Sequence, residues 1–136
     1  MTMLKAKLIV IASFAAILMQ SPAQAASCYD SDTTAYQSLL HCTTGSHYVS
    51  GTGYSTLYRV FAESKAVWSN GTKTSLPGKV YVRKNGNRIY NATFSGSYGG
   101  LFTNASAGNY SAEVWEQNFY SYPNGATKIE VKGEVL

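Results

Sequence analysis

The chain has 136 residues, of which 11 are basic and 7 acidic, so the net charge is +4. Charged residues make up only 13%, whereas there are 11 tyrosines and 12 glycines. This composition excludes a chain disordered by charge and one built mainly of long surface helices, which need Glu, Lys, Ala and Leu. It favours a single small domain rich in turns.

The first 25 residues have the form of an export signal. Lys5 and Lys7 precede an apolar run of 12 residues, 8–19, and Ala23-Gln24-Ala25 supplies the small residues typical of a cleavage site. The run is shorter than the roughly 20 residues that span a bilayer. We therefore predict cleavage after Ala25, leaving one domain, residues 26–136, that is exported and lacks a permanent membrane span. A retained anchor and a lipoprotein acylated at Cys28 are the alternatives.

Removal of this leader also removes Lys5 and Lys7. Nine basic and seven acidic residues remain, for a net charge of +2, which is too weak a balance to argue for nucleic-acid binding. The expected location is extracellular, or periplasmic if the host has an outer membrane.

Cys28 and Cys42 both follow the leader, and export places them in an oxidising compartment, where such a pair forms a disulfide. A zinc site that adds His41 and His47 is the rival interpretation. The spacings lack the C-x-x-C and H-x-x-x-H pairs that make zinc signatures persuasive. We therefore expect one disulfide, no metal and no other cofactor.

The segment between the cysteines favours one short N-terminal helix. Tyr36, Leu39 and Leu40 recur at helical spacing, and Ser31 or Asp32 fits the capping position. An edge strand is the alternative for this segment.

From Tyr48 onward the pattern changes to period two, with turn signals every eight to twelve residues. The last strand, from Thr127, is predicted to bury Ile129 and Val131 and to expose a row of alternating charge that includes Glu130. Earlier, an apolar row at even positions is too long for one ordinary strand and predicts a bend near Ser64. Seven or eight short strands indicate an antiparallel sandwich or barrel.

The hairpin of residues 80–94 has two possible registers. A two-residue turn at Asn85-Gly86 would place Arg83 opposite Arg88 and create a basic-aromatic ladder. A three-residue turn would align Val80 with Ala92 and Val82 with Tyr90, which separates the two arginines and gives a cleaner apolar face. We favour the second register.

Gly108-Asn109-Tyr110 opens an alternating strand and resembles the Gly-x-Tyr that begins the penultimate strand of immunoglobulin-like domains. The resemblance implies a Greek-key sandwich. The chain departs from antibody-type domains because no cysteine follows Tyr110 and residues 80–84 contain no Trp. We therefore predict an all-β fold, an antiparallel β-sandwich that is immunoglobulin-like or a similar Greek key.

The residues that could carry catalysis do not converge. Glu113 and Glu116 lie three apart on a predicted strand, so they point to opposite faces. His41 and His47 lack a nucleophile in a recognisable setting, and the glycines of residues 95–100 lack phosphate-loop spacing. The sequence therefore predicts no catalytic residues and no enzyme.

Aromatic residues predicted to face outward are the more informative feature. Trp115 lies on the polar face of its strand, and Phe119, Tyr120 and Tyr122 follow in a connecting loop. Such rings give large contact areas at low entropy cost. The four residues are the predicted binding site of an exported, non-catalytic protein whose partner is another protein or a cell-surface glycan. An antimicrobial or toxin-like effector and an inhibitor of secreted hydrolases are the alternatives.

Overall fold

The computed structural model describes residues 26–33, 40–53, 56–117 and 125–136. These ranges form an all-β fold of ten strands, more than the seven or eight predicted. No helix occurs among the described residues, so none of them forms a helix long and apolar enough to cross a membrane. The predicted leader and most of the predicted N-terminal helix lie outside the described residues. The strands are β1 (Ala26–Asp32), β2 (His41–Thr43), β3 (His47–Val49), β4 (Tyr58–Val67), β5 (Lys73–Ser75), β6 (Pro77–Lys84), β7 (Asn87–Ser95), β8 (Ser97–Phe102), β9 (Gly108–Glu116) and β10 (Lys128–Val135).

The strands form two antiparallel sheets that pack into a sandwich, as predicted. In the first sheet, β10 lies between β1 and β4, and the far side of β4 is shared by β8 and then β5. In the second sheet, β6 lies between β7 and β9, and the far side of β9 is shared by β2 and β3.

The inner faces of the two sheets make one apolar core. Alternate residues of the central strands are 2% exposed or less because a period-two pattern sends them all to the same side. They include Val60, Ala62 and Ala66 of β4, Ile129, Val131 and Val135 of β10, Val80 and Val82 of β6, and Ala112 and Val114 of β9.

The predicted bend near Ser64 is wrong, because β4 runs as one strand of ten residues through this position. Ser64 is fully buried, and what changes there is the neighbouring strand. Its N–H donates to the carbonyl of Gly96 at 2.9 Å, and its carbonyl accepts from the N–H of Leu76 at 3.0 Å. The two short strands β8 and β5 thus pair one after the other with the same edge of β4. The apolar pattern of β4 does not predict this change of partner.

The hairpin of β6 and β7 combines features of both predicted registers. Val80 lies opposite Ala92 and Val82 opposite Tyr90, as in the favoured register. A β-bulge follows Val82, however, and restores the two-residue turn at Asn85-Gly86, where both residues have positive φ of 51° and 87°. Arg83 therefore faces Arg88, and the expectation that the arginines would be separated is wrong.

The predicted disulfide between Cys28 and Cys42 is confirmed, with a Cα–Cα distance of 5.8 Å. Cys28 lies on β1, at the edge of the first sheet, and Cys42 lies on β2, at the edge of the second. The bond therefore connects the two layers along one side of the sandwich.

Glu130 is not part of an exposed charged row, because it is only 3% exposed on the outer face of β10. Its carboxylate accepts hydrogen bonds from the Lys73 ammonium at 2.7 Å and from the Tyr29 hydroxyl at 3.1 Å. Burial alone would raise the pKa of Glu130, but these hydrogen bonds outweigh it and hold the pKa below its ordinary value. The period-two pattern correctly placed Glu130 on the outer face of β10. It did not predict that the side chains of Tyr29 and Lys73 cover the Glu130 carboxylate.

Glu130 should make the stability of the protein sensitive to acid. A carboxyl whose pKa is lowered by folding contributes stability at neutral pH, and this is lost as the pH falls below the ordinary glutamate value of about 4.3. We expect Glu130→Gln to be less stable at pH 7 and to lose less further stability than the wild type between about pH 5 and pH 3. Urea unfolding across this range measures the effect. Glu134→Gln on the same strand is the matched control, and parallel pH curves for wild type and Glu130→Gln would contradict the prediction.

Candidate functional site

Of the four aromatic residues predicted to bind a partner, the structure describes Trp115, whereas Phe119, Tyr120 and Tyr122 lie outside the described residues. Trp115 is partly buried on the outer face of β9. Its ring stacks on His41 of β2, with ring centroids 4.1 Å apart and planes 10° from parallel. This stack follows directly from register, because His41 is the cross-strand partner of Trp115.

Trp115 is therefore neither fully solvent-exposed nor part of the core. One ring face is covered by His41, Lys79 of β6 is its cross-strand neighbour on the other side, and its indole Nε1 is buried. Within the described part of the chain, this nitrogen has no hydrogen-bond partner. Trp115 forms one end of the candidate surface, and the larger part of that surface lies further along the same sheet face.

A basic-aromatic cluster occupies the middle of this face. The Arg88 guanidinium lies over the Tyr81 ring, 3.9 Å from its centroid, and Lys79 Nζ lies 5.2 Å from the same centroid. Glu113 of β9, the cross-strand neighbour of Tyr81, accepts a hydrogen bond from Arg88 Nε at 2.7 Å and lies 3.5 Å from Arg83 Nη1. Tyr81 and Glu113 together hold the basic side chains in place.

Glu113 explains why two arginines lie side by side without a net repulsion. Its carboxylate is placed against both guanidinium groups, and Arg83 also donates to the Gly86 carbonyl of the turn at 2.9 and 3.1 Å. The hydrogen bond to Glu113 raises the pKa of Arg88 above its ordinary value. Half of the Arg88 side chain, 51%, is nevertheless exposed, so a fixed cation is presented to solvent.

Basic residues are concentrated in one hairpin of the second sheet. The β6–β7 hairpin carries four basic residues and no acidic one, and Glu113 of β9 is the acidic residue that faces it. The outer face of the first sheet is equally positive. Its five basic residues, Arg59, Lys65, Lys73, Lys128 and Lys132, exceed its three acidic ones, Glu63, Glu130 and Glu134, by two, because Asp30 and Asp32 lie on the core side of β1. On the second sheet, Lys79, Arg83 and Arg88 likewise exceed Glu113 by two. What distinguishes the outer face of the second sheet is therefore the restraint of its basic side chains by Tyr81 and Glu113, and not a larger net charge.

The acidic residues and the histidines of the second sheet do not form a cluster. Glu113 faces outward, whereas Glu116 is 1% exposed on the inner side of β9, so the two point to opposite faces, as predicted. His47 lies opposite Tyr110 of the buried row, away from His41. Among the residues described, no group of three His, Cys, Asp or Glu side chains is placed to hold a metal ion.

Two of the tyrosines, Tyr58 and Tyr110, help to join the sheets. Tyr58 of β4 stacks on Phe102 of β8 and on Tyr110 of β9, with centroid distances of 4.9 and 4.3 Å. Burial, and then the neighbouring tyrosines, raise the pKa of the Tyr58 phenol to about 12, so it stays protonated. These rings are packing residues, and they contribute nothing to the outer face.

Sequence reasoning placed the basic-aromatic ladder in the register that it did not favour, so Tyr81 and Arg88 were left out of the predicted site, and it missed the stacking role of His41. A signal was present in Lys79, Tyr81 and Arg83, which alternate along β6 and share its outer face. What joins Arg88 to them is the bulge, which depends on the pairing of two strands.

No protein-family model and no curated protein matches this chain. Among solved structures, it is similar to an insecticidal delta-endotoxin of Bacillus thuringiensis, with 16% sequence identity and a TM-score of 0.40. The match covers 79% of this chain and 19% of the toxin chain. A similarity at this level carries no information about function, so the proposal below rests on the described residues.

Proposed function

We propose that the protein is an exported, non-catalytic binding protein that recognises an anionic partner, a protein or a cell-surface glycan, through the outer face of its second sheet. The observation that carries the proposal is that basic side chains of one hairpin are held around the Tyr81 ring and the Glu113 carboxylate on a single face. We call this surface, made of His41, Lys79, Tyr81, Arg83, Arg88, Glu113 and Trp115, the basic-aromatic face.

The chemistry of this face suits an anion. A guanidinium offers several N–H donors that match carboxylate, sulfate and phosphate oxygens, and Lys79 adds a point charge beside it. Tyr81 and Trp115 add contact area with little loss of side-chain entropy. Because Tyr81 and Glu113 already restrain Arg88, binding needs less ordering of that side chain. The disulfide between the layers is in keeping with export.

Removal of charge from this face should weaken binding to an acidic polymer. Heparin serves as the probe, titrated calorimetrically against the intact protein. We expect Lys79→Gln with Arg88→Gln to lower affinity by at least about tenfold and to reduce the salt dependence, because two cations facing the ligand are lost. Arg83 and Glu113 are left in place so that the partly buried Glu113 carboxylate keeps one basic partner.

The matched control is Arg59→Gln with Lys65→Gln, which changes the net charge equally on the first sheet. It should bind heparin almost as the wild type does. Equal weakening by the two double variants would show that only net charge matters and would remove the assignment to the basic-aromatic face. An absence of binding by the wild-type protein to heparin and to acidic proteins would contradict the proposed function itself.

A further inference from the structure

A groove of about 500 Å³ crosses the outer face of the first sheet, on the opposite side of the sandwich from the basic-aromatic face. It runs over β1, β10 and β4 and is open to solvent. Its volume lies in the range of small-ligand sites in proteins. The side chains that matter for a ligand are Ser27, Tyr29, Phe61, Glu63, Lys132 and Glu134.

Two exposed rings border the groove. Tyr29 of β1 is 51% exposed and Phe61 of β4 is 42% exposed, and β10 separates them. Tyr29 is opposite Lys132, whereas Phe61 is opposite Glu134, so the rings are offset by two strand spacings and two residues, about 12 Å between Cα atoms. The rings therefore mark the two ends of an elongated site.

Each of the two rings makes a contact within the first sheet that restrains it. The Tyr29 hydroxyl donates to the buried Glu130, and the Phe61 ring lies over Gly99 of β8, where a Cβ atom would be 3.5 Å from it. They do not sink into the core, because residues 29 and 61 lie on the outer face of their strands. Anchored rings with exposed surface are suited to stacking against a ligand.

The floor between the rings carries charges of both signs. Lys132 is the cross-strand neighbour of Glu63, and Glu134 lies two residues further along β10. The ion pairs of the described residues are Lys73 and Lys128 with Glu130, and Arg83 and Arg88 with Glu113. Lys132, Glu63 and Glu134 thus form no ion pair within 4.0 Å in the part of the chain that the structure describes. Their donors and acceptors are available to a ligand.

We propose that this groove is a second binding site and that its ligand is a short neutral oligosaccharide. Sugar hydroxyls both donate and accept hydrogen bonds, so they pair with two carboxylates and one ammonium at once. The C–H faces of sugar rings pack against aromatic rings, here at two points far enough apart to require more than one sugar unit. A strongly anionic ligand would be repelled by Glu63 and Glu134, and a strongly cationic one would be repelled by Lys132.

The test is a screen of the intact protein against neutral oligosaccharides: hexamers of glucose, mannose, xylose and N-acetylglucosamine, with the affinity of any hit measured by calorimetry. Phe61→Ala should weaken binding of the hit by about tenfold, and Lys132→Gln should weaken it by a comparable factor. Tyr29→Phe keeps the ring and should retain affinity within about threefold. Thermal unfolding of each variant checks that it is folded.

Ile89→Ala is the matched control, because Ile89 is 52% exposed on β7 of the second sheet, and it should bind as the wild type does. The proposal is overturned if no neutral hexamer binds, or if Phe61→Ala and Lys132→Gln leave the affinity unchanged. It is also overturned if a hit is lost in the Lys79→Gln, Arg88→Gln variant and kept in Phe61→Ala, because the ligand would then occupy the other face. Since heparin and neutral hexamers report on different faces, either site can fail while the other stands.

Discussion

Reduction of the Cys28–Cys42 disulfide is expected to lower the free energy of unfolding by about 3 kcal/mol, the loop-closure contribution of a segment of this size. The bond joins the edge strands of the two sheets, so its loss also frees β1 and β2 to separate from one another. In a domain of this length the change corresponds to a fall in Tm of roughly 10–15 °C.

The measurement is urea unfolding of the wild-type protein with and without dithiothreitol, followed by tryptophan fluorescence. The variant Cys28→Ala with Cys42→Ala should match the reduced protein and should not respond to dithiothreitol. This control separates loss of the bond from other effects of the reductant. A difference below about 0.5 kcal/mol between oxidised and reduced protein would show that packing alone holds the two edges together.

Replacement of Gly133 by valine is expected to destabilise the fold by about 2–3 kcal/mol through overpacking. Gly133 faces the core from β10, and a Cβ atom there would lie 2.8 Å from Val114 Cγ2 and 3.1 Å from Cys28 Sγ. The first contact crosses to the other sheet and the second reaches the disulfide. Neither neighbour has room to withdraw, because Val114 is fully buried and Cys28 is bonded to Cys42.

The same substitution at Gly99 is the matched control. Gly99 is exposed on β8, where a Cβ atom would meet only the Phe61 ring, at 3.5 Å, an ordinary contact. Gly99→Val should be neutral or slightly stabilising, because glycine weakens a strand interior. Gly133→Val in a Val114→Ala background should cost less than in the wild type by about 1 kcal/mol. Equal costs at positions 133 and 99 would show that the sheets tolerate a wider spacing.

The strand pattern predicted the core better than it predicted the surface. Alternation in β9 and β10 correctly assigned the buried rows, because a strand sends every second residue to the same side regardless of its neighbours. It failed at Glu130, which shares its side of β10 with Lys132. Glu130 is covered by Tyr29 and Lys73, which come from two other strands. Only the pairing of those strands determines which outward residue is covered.

The candidate sites depend even more on strand pairing, and less on local sequence, than the covered surface residues do. Trp115 was identified from its place on the polar side of a strand, but its partner His41 lies 74 positions earlier in the chain and reaches it through the pairing of β2 with β9. The groove brings together residues from β1, β4 and β10, which are distant in sequence and adjacent in the sheet. No local pattern marks such a site.

The amino-acid pattern alone was enough for the all-β class, the pairing of the two cysteines and the residues of the core, because each depends on composition or on the two-residue repeat of a strand. Folding in three dimensions decided the strand order, the undivided course of β4, the bulge that brings Arg88 onto Tyr81, and the groove between Tyr29 and Phe61. These features depend on which strands become neighbours and in which register. That choice is a property of the whole packed sandwich, since hydrogen bonds and side-chain contacts between distant segments form together.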